Sequence, residues 1–264
     1  MLNNTSLTVV GSGIKFATQF TPEMQLYVEK SDKVLYLVNE AGVKEWIQQH
    51  NPNTESLDFL YDKVGLRVEI YRSITNYILD EVRKGQHVCV VIYGHPVLFA
   101  QPGLNAVLQA KTEGFDARVL PGISTADCLF ADLLIDTGHY GYQCFEATDF
   151  LIHRRQFSTT SHLILWEVGT IGQLHYPLDP DNTHGAKVLV EYLSQNYPLG
   201  HEVTLYEAAQ YPGLEPRIEK MLLAQFPRAQ FSPITTLYIP PATIARCDET
   251  MVQSLKINIA DLYK

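Results

Sequence analysis

Long apolar runs are missing from this 264-residue chain. The longest strongly apolar stretch, Val88 to Tyr93, falls far short of the roughly 20 residues a helix needs to cross a bilayer, so no membrane span is expected. Lys and Arg are absent from the first fourteen residues, which leaves no charged start of a secretory signal, and the sequence reads as cytoplasmic. Cations are scarce throughout: Lys plus Arg number 20 against 29 Asp plus Glu, a formal net charge of −9. Phosphate backbones are bound by clustered Lys and Arg, so the charge balance argues against a nucleic-acid partner.

Cysteine is also sparse. Cys89, Cys128, Cys144 and Cys247 are far apart and form no Cys-x-x-Cys pair, which excludes a disulfide scaffold or a cysteine-rich zinc site legible in sequence. Nine histidines are scattered, without a His-Glu-x-x-His motif or a pair at i, i+4 spacing; no metal is expected. What remains is an ordinary globular composition, 46% apolar and 19% charged, with material for a sizeable core. The length fits two modest domains sharing a cleft.

The pattern along the chain is α/β. Leu7-Thr8-Val9-Val10-Gly11 reads as a buried strand running into a Gly-Ser-Gly turn. Thr21-Pro22-Glu23 carries an N-cap, a proline for the first helical position and an early acid. Val34 to Val38 is the second strand, and Ala41 to Gln49 a helix closed by Asn51-Pro52-Asn53. Ile70, Ile74, Tyr77, Ile78 and Val82 recur at steps of three and four, and Lys84-Gly85 supplies the helix end. His87 to Ile92 is an apolar run of strand length. Pro102 opens a helix that Gly114 closes, and Ala117 to Leu120 returns as a strand. This alternation predicts a mostly parallel sheet covered on both faces.

Beyond Leu120-Pro121-Gly122 the pattern shifts to extended segments at Gln143–Ala147, Leu163–Trp166, Val203–Tyr206 and Thr236–Ile239, with helices at Ser124–Leu134 and Gly185–Asn196. We place an N-terminal α/β domain at residues 1–120, a C-terminal α/β domain at 121–242 and a tail at 243–264.

Two turns stand where open α/β sheets bind ligands, outside the carboxyl ends of their strands. Gly11-Ser12-Gly13-Ile14-Lys15-Phe16 begins like a dinucleotide-binding turn but has Phe16 at the third glycine position. Tyr93-Gly94-His95-Pro96 ends the apolar run, where glycine admits close backbone approach and proline fixes a bend.

Together with Leu120-Pro121-Gly122-Ile123-Ser124-Thr125, these segments occur in the order seen in the tetrapyrrole methylase superfamily, which the chain resembles. Where that superfamily usually has an acid in the second motif, this chain has His95. Its Tyr-Gly-His-Pro strand end, together with Ser124-Thr125-Ala126-Asp127-Cys128-Leu129 and Glu146-Ala147-Thr148-Asp149-Phe150, looks more like the borosin peptide backbone α-N-methyltransferases. The resemblance covers about residues 7 to 241. It implies a two-domain architecture with the cofactor cleft between the domains and S-adenosylmethionine as cofactor.

The same resemblance implies Tyr61, Arg67, Tyr71 and Tyr93 as catalytic residues. Arg67 would steady the imidate oxygen, and a tyrosine, Tyr71 by this reading, would remove or relay the amide proton. Arg67 and Tyr71 are four apart and share a helix face, and a guanidinium nearby is one means of lowering a tyrosine pKa. The cofactor contacts implied are Tyr93, His95, Leu98, Ser124, Thr125, Glu167, Ala208, Thr235 and Thr236. In fused members the substrate peptide is a C-terminal extension of the enzyme. Residues 242–264 hold no repetitive Val- or Ile-rich stretch, so the precursor is expected in trans, bound to a homodimer. Three other readings stand: methylation of a tetrapyrrole or another small acceptor; an RNA methylase, disfavoured by the acidic balance; and a cofactor-binding module without turnover.

Overall fold

The computed structural model describes residues 5–61, 65–258 and 261. The first part of the chain runs β1 (Ser6–Gly11), α1 (Pro22–Lys30), β2 (Lys33–Leu37), α2 (Ala41–His50), β3 (Thr54–Ser56), β4 (Gly65–Leu66), α3 (Arg67–Arg83), β5 (His87–Ile92), α4 (Gln101–Thr112) and β6 (Asp116–Leu120). Five of these strands form one sheet in the order β3-β2-β5-β1-β6. Every pairing in it is parallel.

Strand alternation divides its core in two. Val88, Val90 and Ile92 of β5 pack with the Ile70, Ile74, Ile78 and Val82 stripe of α3 and with Ala106 and Ala110 of α4. Cys89 and Val91 face the opposite way, toward Met24 and Val28 of α1 and Val43 and Ile47 of α2. Burying each large aliphatic side chain of that α3 stripe contributes about 1.5–3 kcal/mol, which is what holds the long helix on the sheet. The helix ends follow local chemistry. The Thr21 hydroxyl accepts the Met24 N–H at 3.1 Å ahead of Pro22, and α3 stops at Lys84 with Gly85 at φ 86°.

The second part comprises α5 (Thr125–Asp132), α6 (Thr137–Tyr140), β7 (Tyr142–Glu146), α7 (Ala147–Ile152), β8 (His162–Trp166), β9 (His175–Tyr176), α8 (Thr183–Leu193), β10 (Glu202–Glu207), β11 (Arg217–Leu222), β12 (Thr236–Ile239) and α9 (Glu249–Ser254). Its sheet has the order β11-β10-β12-β8-β7. Only β7 and β8 are parallel there. One face buries Leu163, Leu165, Val203, Leu205 and Leu237 against α7 and α8. On the other face Ile164, Trp166, Tyr206 and Tyr238 meet Cys128 and Leu129 of α5 and Ile14 from the turn after β1. That turn thus packs on the second sheet. A second bridge between the halves is the antiparallel pair β4–β9, with Gly65 opposite Tyr176 and Leu66 opposite His175.

The three glycine-bearing motifs converge. The Gly13 and Gly94 backbones exchange hydrogen bonds of 3.0 and 3.2 Å. A Cβ on Gly122 would sit 2.5 Å from the Gly94 carbonyl oxygen and 2.9 Å from Gly11 Cα. Glycine is required here because three strand ends meet backbone to backbone.

Most predicted elements recur with shifts of one to three residues. The segment read as a strand to Ala147 ends at Glu146, and Ala147 starts α7 instead, because the Glu146 carboxylate accepts the Thr148 and Asp149 N–H groups at 2.8 and 2.6 Å. The helix expected to reach Leu134 ends at Asp132, and that expected over Gly185–Asn196 spans Thr183–Leu193. Strands β3, β4, β9 and β11 had no counterpart in the sequence reading, nor did α6, α7 and α9. Among the described residues no helix is long and apolar enough to cross a membrane.

Candidate functional site

A cavity of about 610 Å³ opens between the carboxyl ends of the first sheet and the inner face of the second, within the range of small-molecule sites. Leu37 at the end of β2 and Asn39 just beyond it, with Tyr93, Gly94, His95 and Leu98 after β5, form one wall. Ser124 and Thr125 at the head of α5, with Trp166, Glu167, Ala208 and Thr236 from the second sheet, form the other. Tyr61, Tyr71 and Tyr176 complete one end.

Most of the sequence-predicted residues are therefore on one cavity. Tyr61, Tyr71, Tyr93, His95, Leu98, Ser124, Thr125, Glu167, Ala208 and Thr236 all line it. Thr235 does not. It is fully buried, its hydroxyl donates to Glu207, and its backbone oxygen accepts the Val168 N–H at 3.2 Å, so it locks the loop behind the wall. Ser124 caps α5: its hydroxyl donates to Asp127 Oδ2 at 2.6 Å and accepts the Asp127 N–H at 3.2 Å. The His95 ring nitrogen Nδ1 accepts the Val97 N–H at 3.3 Å.

Arg67 stands just outside the main cavity, on an adjoining groove of about 400 Å³ that shares Tyr71, Phe99 and Glu167 with it. One guanidinium nitrogen, Nη2, donates to Tyr71 Oη at 3.1 Å and to Glu167 Oε2 at 2.8 Å. The Arg67 backbone N–H donates to the Leu174 carbonyl at 2.8 Å. That carbonyl supplies what no side chain does at this helix start, since Leu66 offers no cap. Glu167 itself sits at the end of β8 in the left-handed region, φ 56°, a backbone state that costs a residue with a Cβ roughly 1–3 kcal/mol and clusters at functional sites.

Electrostatics sort these groups. Burial alone would lower the Arg67 pKa, but the Glu167 carboxylate beside it reverses the sign and raises it. Burial raises the Tyr61 hydroxyl, helped by Tyr71 and Tyr176, with Arg67 pulling only weakly the other way. The Tyr93 hydroxyl is pushed up to about 12 by burial, although the Gln210 side chain donates a hydrogen bond to it. Burial also raises Tyr176. The guanidinium therefore does not produce a phenolate at Tyr61, where desolvation outweighs it.

Sequence reasoning missed Tyr176, Trp166 and Asn39 as lining residues. Tyr176 stacks edge-on against Tyr61 at 5.1 Å between ring centroids, and Tyr61 against Tyr71 at 6.5 Å. Nothing periodic marks the segment from 167 to 182, so Tyr176 carried no signal. Trp166 lay within a predicted strand, where it reads as core. Its buried indole N–H finds no hydrogen-bond partner among the described residues.

Comparison with known proteins gives a consistent picture. A family model for tetrapyrrole (corrin/porphyrin) methylases matches residues 6–221. The chain is 37% identical over 260 residues to a methyltransferase/ribosomally synthesized cyclic peptide gymnopeptides precursor of Gymnopus fusipes, covering 97% of this chain and 62% of that protein. It is 35% identical over 262 residues to a methyltransferase/ribosomally synthesized type I borosin cyclic peptide precursor of Coprinopsis marcescibilis, covering 97% and 67%. Among solved structures, uroporphyrin-III-C-methyltransferase from Thermus thermophilus superposes with a TM-score of 0.64 at 17% identity, covering 90% of this chain and 93% of that one. The chain spans about three fifths of the length of the first curated relatives it matches.

Proposed function

Because the chain belongs to the tetrapyrrole methylase family, we propose that it is an S-adenosylmethionine-dependent methyltransferase acting on backbone amide nitrogens of a ribosomally made precursor peptide. The observation that carries this reading is the cluster of Arg67, Tyr71 and Glu167 at the seam between the two sheets, beside a cavity of cofactor size.

An amide nitrogen is a weak nucleophile because its lone pair is delocalised into the carbonyl. Its N–H proton must leave before nitrogen can attack, which gathers negative charge on the carbonyl oxygen of the resulting imidate, and that charge is discharged as the N–CH₃ bond forms. A planar guanidinium aimed at that oxygen strengthens its hold toward the transition state, and in this reading that is the role of Arg67. Tyr71, hydrogen-bonded to Arg67, receives or relays the proton. Tyr61 and Tyr93 remain protonated under their raised pKa values, so they orient the peptide by donating hydrogen bonds.

S-adenosylmethionine, when bound, supplies the electrophilic methyl group. The cavity suits it: its volume is ample, its lining mixes apolar walls with polar groups, and among the described lining residues there is no Lys or Arg to repel a sulfonium. Tyr93, His95, Leu98, Ser124, Thr125, Glu167, Ala208 and Thr236 would hold it. Thr235 would act at one remove, by fixing the loop that leads into Thr236 at the start of β12.

We further propose that residues 1–120 and 121–242 act as two domains walling the cleft, with 243–264 as a tail, and that the enzyme is cytoplasmic and homodimeric. The precursor would be supplied in trans. The relatives' names describe methyltransferase and precursor together, so this arrangement needs its own test. The chain is co-expressed with each protein encoded beside its gene, and the chain and its partners are examined by mass spectrometry. Methyl groups on the partner support supply in trans; methyl groups on the chain itself overturn it. Light scattering that finds a monomer at micromolar concentration overturns the dimer.

A further inference from the structure

Arg67 and the cavity draw on the same carboxylate. Glu167 lines both the main cavity and the adjoining groove, whereas Arg67 lines only the groove. The cavity lining carries two acids, Asp58 and Glu167, and no Lys or Arg among the described residues. Asp58 is already taken by Lys44 at 2.6 Å. Glu167 is taken by Arg67 at 2.8 Å. A positively charged ligand entering the cavity therefore has one acid at the seam to compete for.

The pairing also has a catalytic cost. A guanidinium neutralised by a carboxylate at contact distance projects little net positive charge onto a third group, because the two fields oppose each other. As long as Glu167 holds it, Arg67 is a poor oxyanion stabiliser. The backbone of Glu167 is fixed, with its carbonyl accepting both the N–H (2.9 Å) and the hydroxyl (3.2 Å) of Thr170. The freedom at this position lies in its side chain.

We propose that Glu167 is an exchangeable counter-ion, which clasps Arg67 in the free protein and turns to the sulfonium of S-adenosylmethionine when the cofactor enters, releasing the guanidinium for the peptide carbonyl. This rests on the cofactor assignment above but not on the identity of the methyl acceptor. It gives cofactor and peptide an order of binding. It also gives a reason for product release, since the thioether left after transfer no longer attracts the carboxylate.

Calorimetry with S-adenosylmethionine and S-adenosylhomocysteine as probes tests it without any peptide. Glu167→Gln keeps a hydrogen-bond acceptor but loses the charge; it should weaken S-adenosylmethionine about tenfold or more, the order of one contact to a charged group, and change S-adenosylhomocysteine much less. Glu167→Asp should restore part of the preference. Arg67→Gln removes the competitor and should tighten S-adenosylmethionine, and the double variant should bind like Glu167→Gln. Equal weakening of both probes by Glu167→Gln, no effect on either, or looser S-adenosylmethionine binding in Arg67→Gln would overturn the exchange. If wild-type protein binds neither probe, the cofactor assignment falls and the exchange with it. Normal probe binding without peptide methylation would overturn only the acceptor.

Discussion

Replacing Arg67 by Ala separates chemistry from architecture, because the two effects differ in size. Arg67 and Glu167 have side chains 20% and 25% exposed. Removing one partner of a fully buried pair costs about 3–5 kcal/mol, and partial exposure reduces that here to roughly 1–3 kcal/mol. At about 2–4 °C per kcal/mol for a chain of this size, Tm should fall by roughly 2–12 °C. Turnover should fall by about 10²–10³, the usual loss for one preorganised oxyanion donor. Arg67→Lys should recover little of it, since an ammonium lacks the planar fork. The double variant Arg67→Ala with Glu167→Gln, which no longer strands a carboxylate, should regain stability without regaining turnover. Thermal melts and methyl-transfer rates are measured on the same preparations. Near wild-type turnover in Arg67→Ala would refute the oxyanion role, as would recovery of turnover together with stability in the double variant.

Three further outcomes follow from the same structure. Saturating S-adenosylmethionine at roughly a hundredfold over its Kd should stabilise the protein by about 2.7 kcal/mol; an unmoved Tm counts against the cofactor site. Gly122→Ala would place a Cβ 2.5 Å from the Gly94 carbonyl oxygen and should destabilise by at least about 1–3 kcal/mol as the three strand ends are pushed apart, which denaturant melts can measure. The Tyr93 pKa is raised to about 12, against about 10 for an unfolded tyrosine. Its contribution to stability should be intact below pH 10 and decline as pH rises toward 12, and Tyr93→Phe should remove that part of the alkaline loss.

Legibility followed the physics of each segment. Strands β1 and β5 are apolar on both faces, and α3 carries an uninterrupted stripe from Ile70 to Val82, so local pattern and burial agree. Strand β11, Arg-Ile-Glu-Lys-Met-Leu, is a charged edge strand with one side in solvent, and nothing in its composition marks it. Strands β4 and β9 are two residues each and exist only because the halves meet. The site divides the same way. The motifs brought Tyr93, His95 and Ser124 within reach of inference, and helical spacing paired Arg67 with Tyr71. That Glu167 lies against Arg67 across 100 residues, and Tyr176 against Tyr61, depends on tertiary contact that no local pattern encodes.

The catalytic roles proposed for Arg67 and Tyr71 depend on the methyl acceptor being a peptide backbone nitrogen. Tandem mass spectrometry of proteins co-expressed with the wild-type chain, and with Arg67→Ala as control, tests it most directly. Methyl increments that fragmentation places on backbone amides should be present with wild type and lost with the variant. Methyl groups confined to side chains, or unmodified proteins alongside methylation of a uroporphyrinogen substrate by the same preparation, would contradict it.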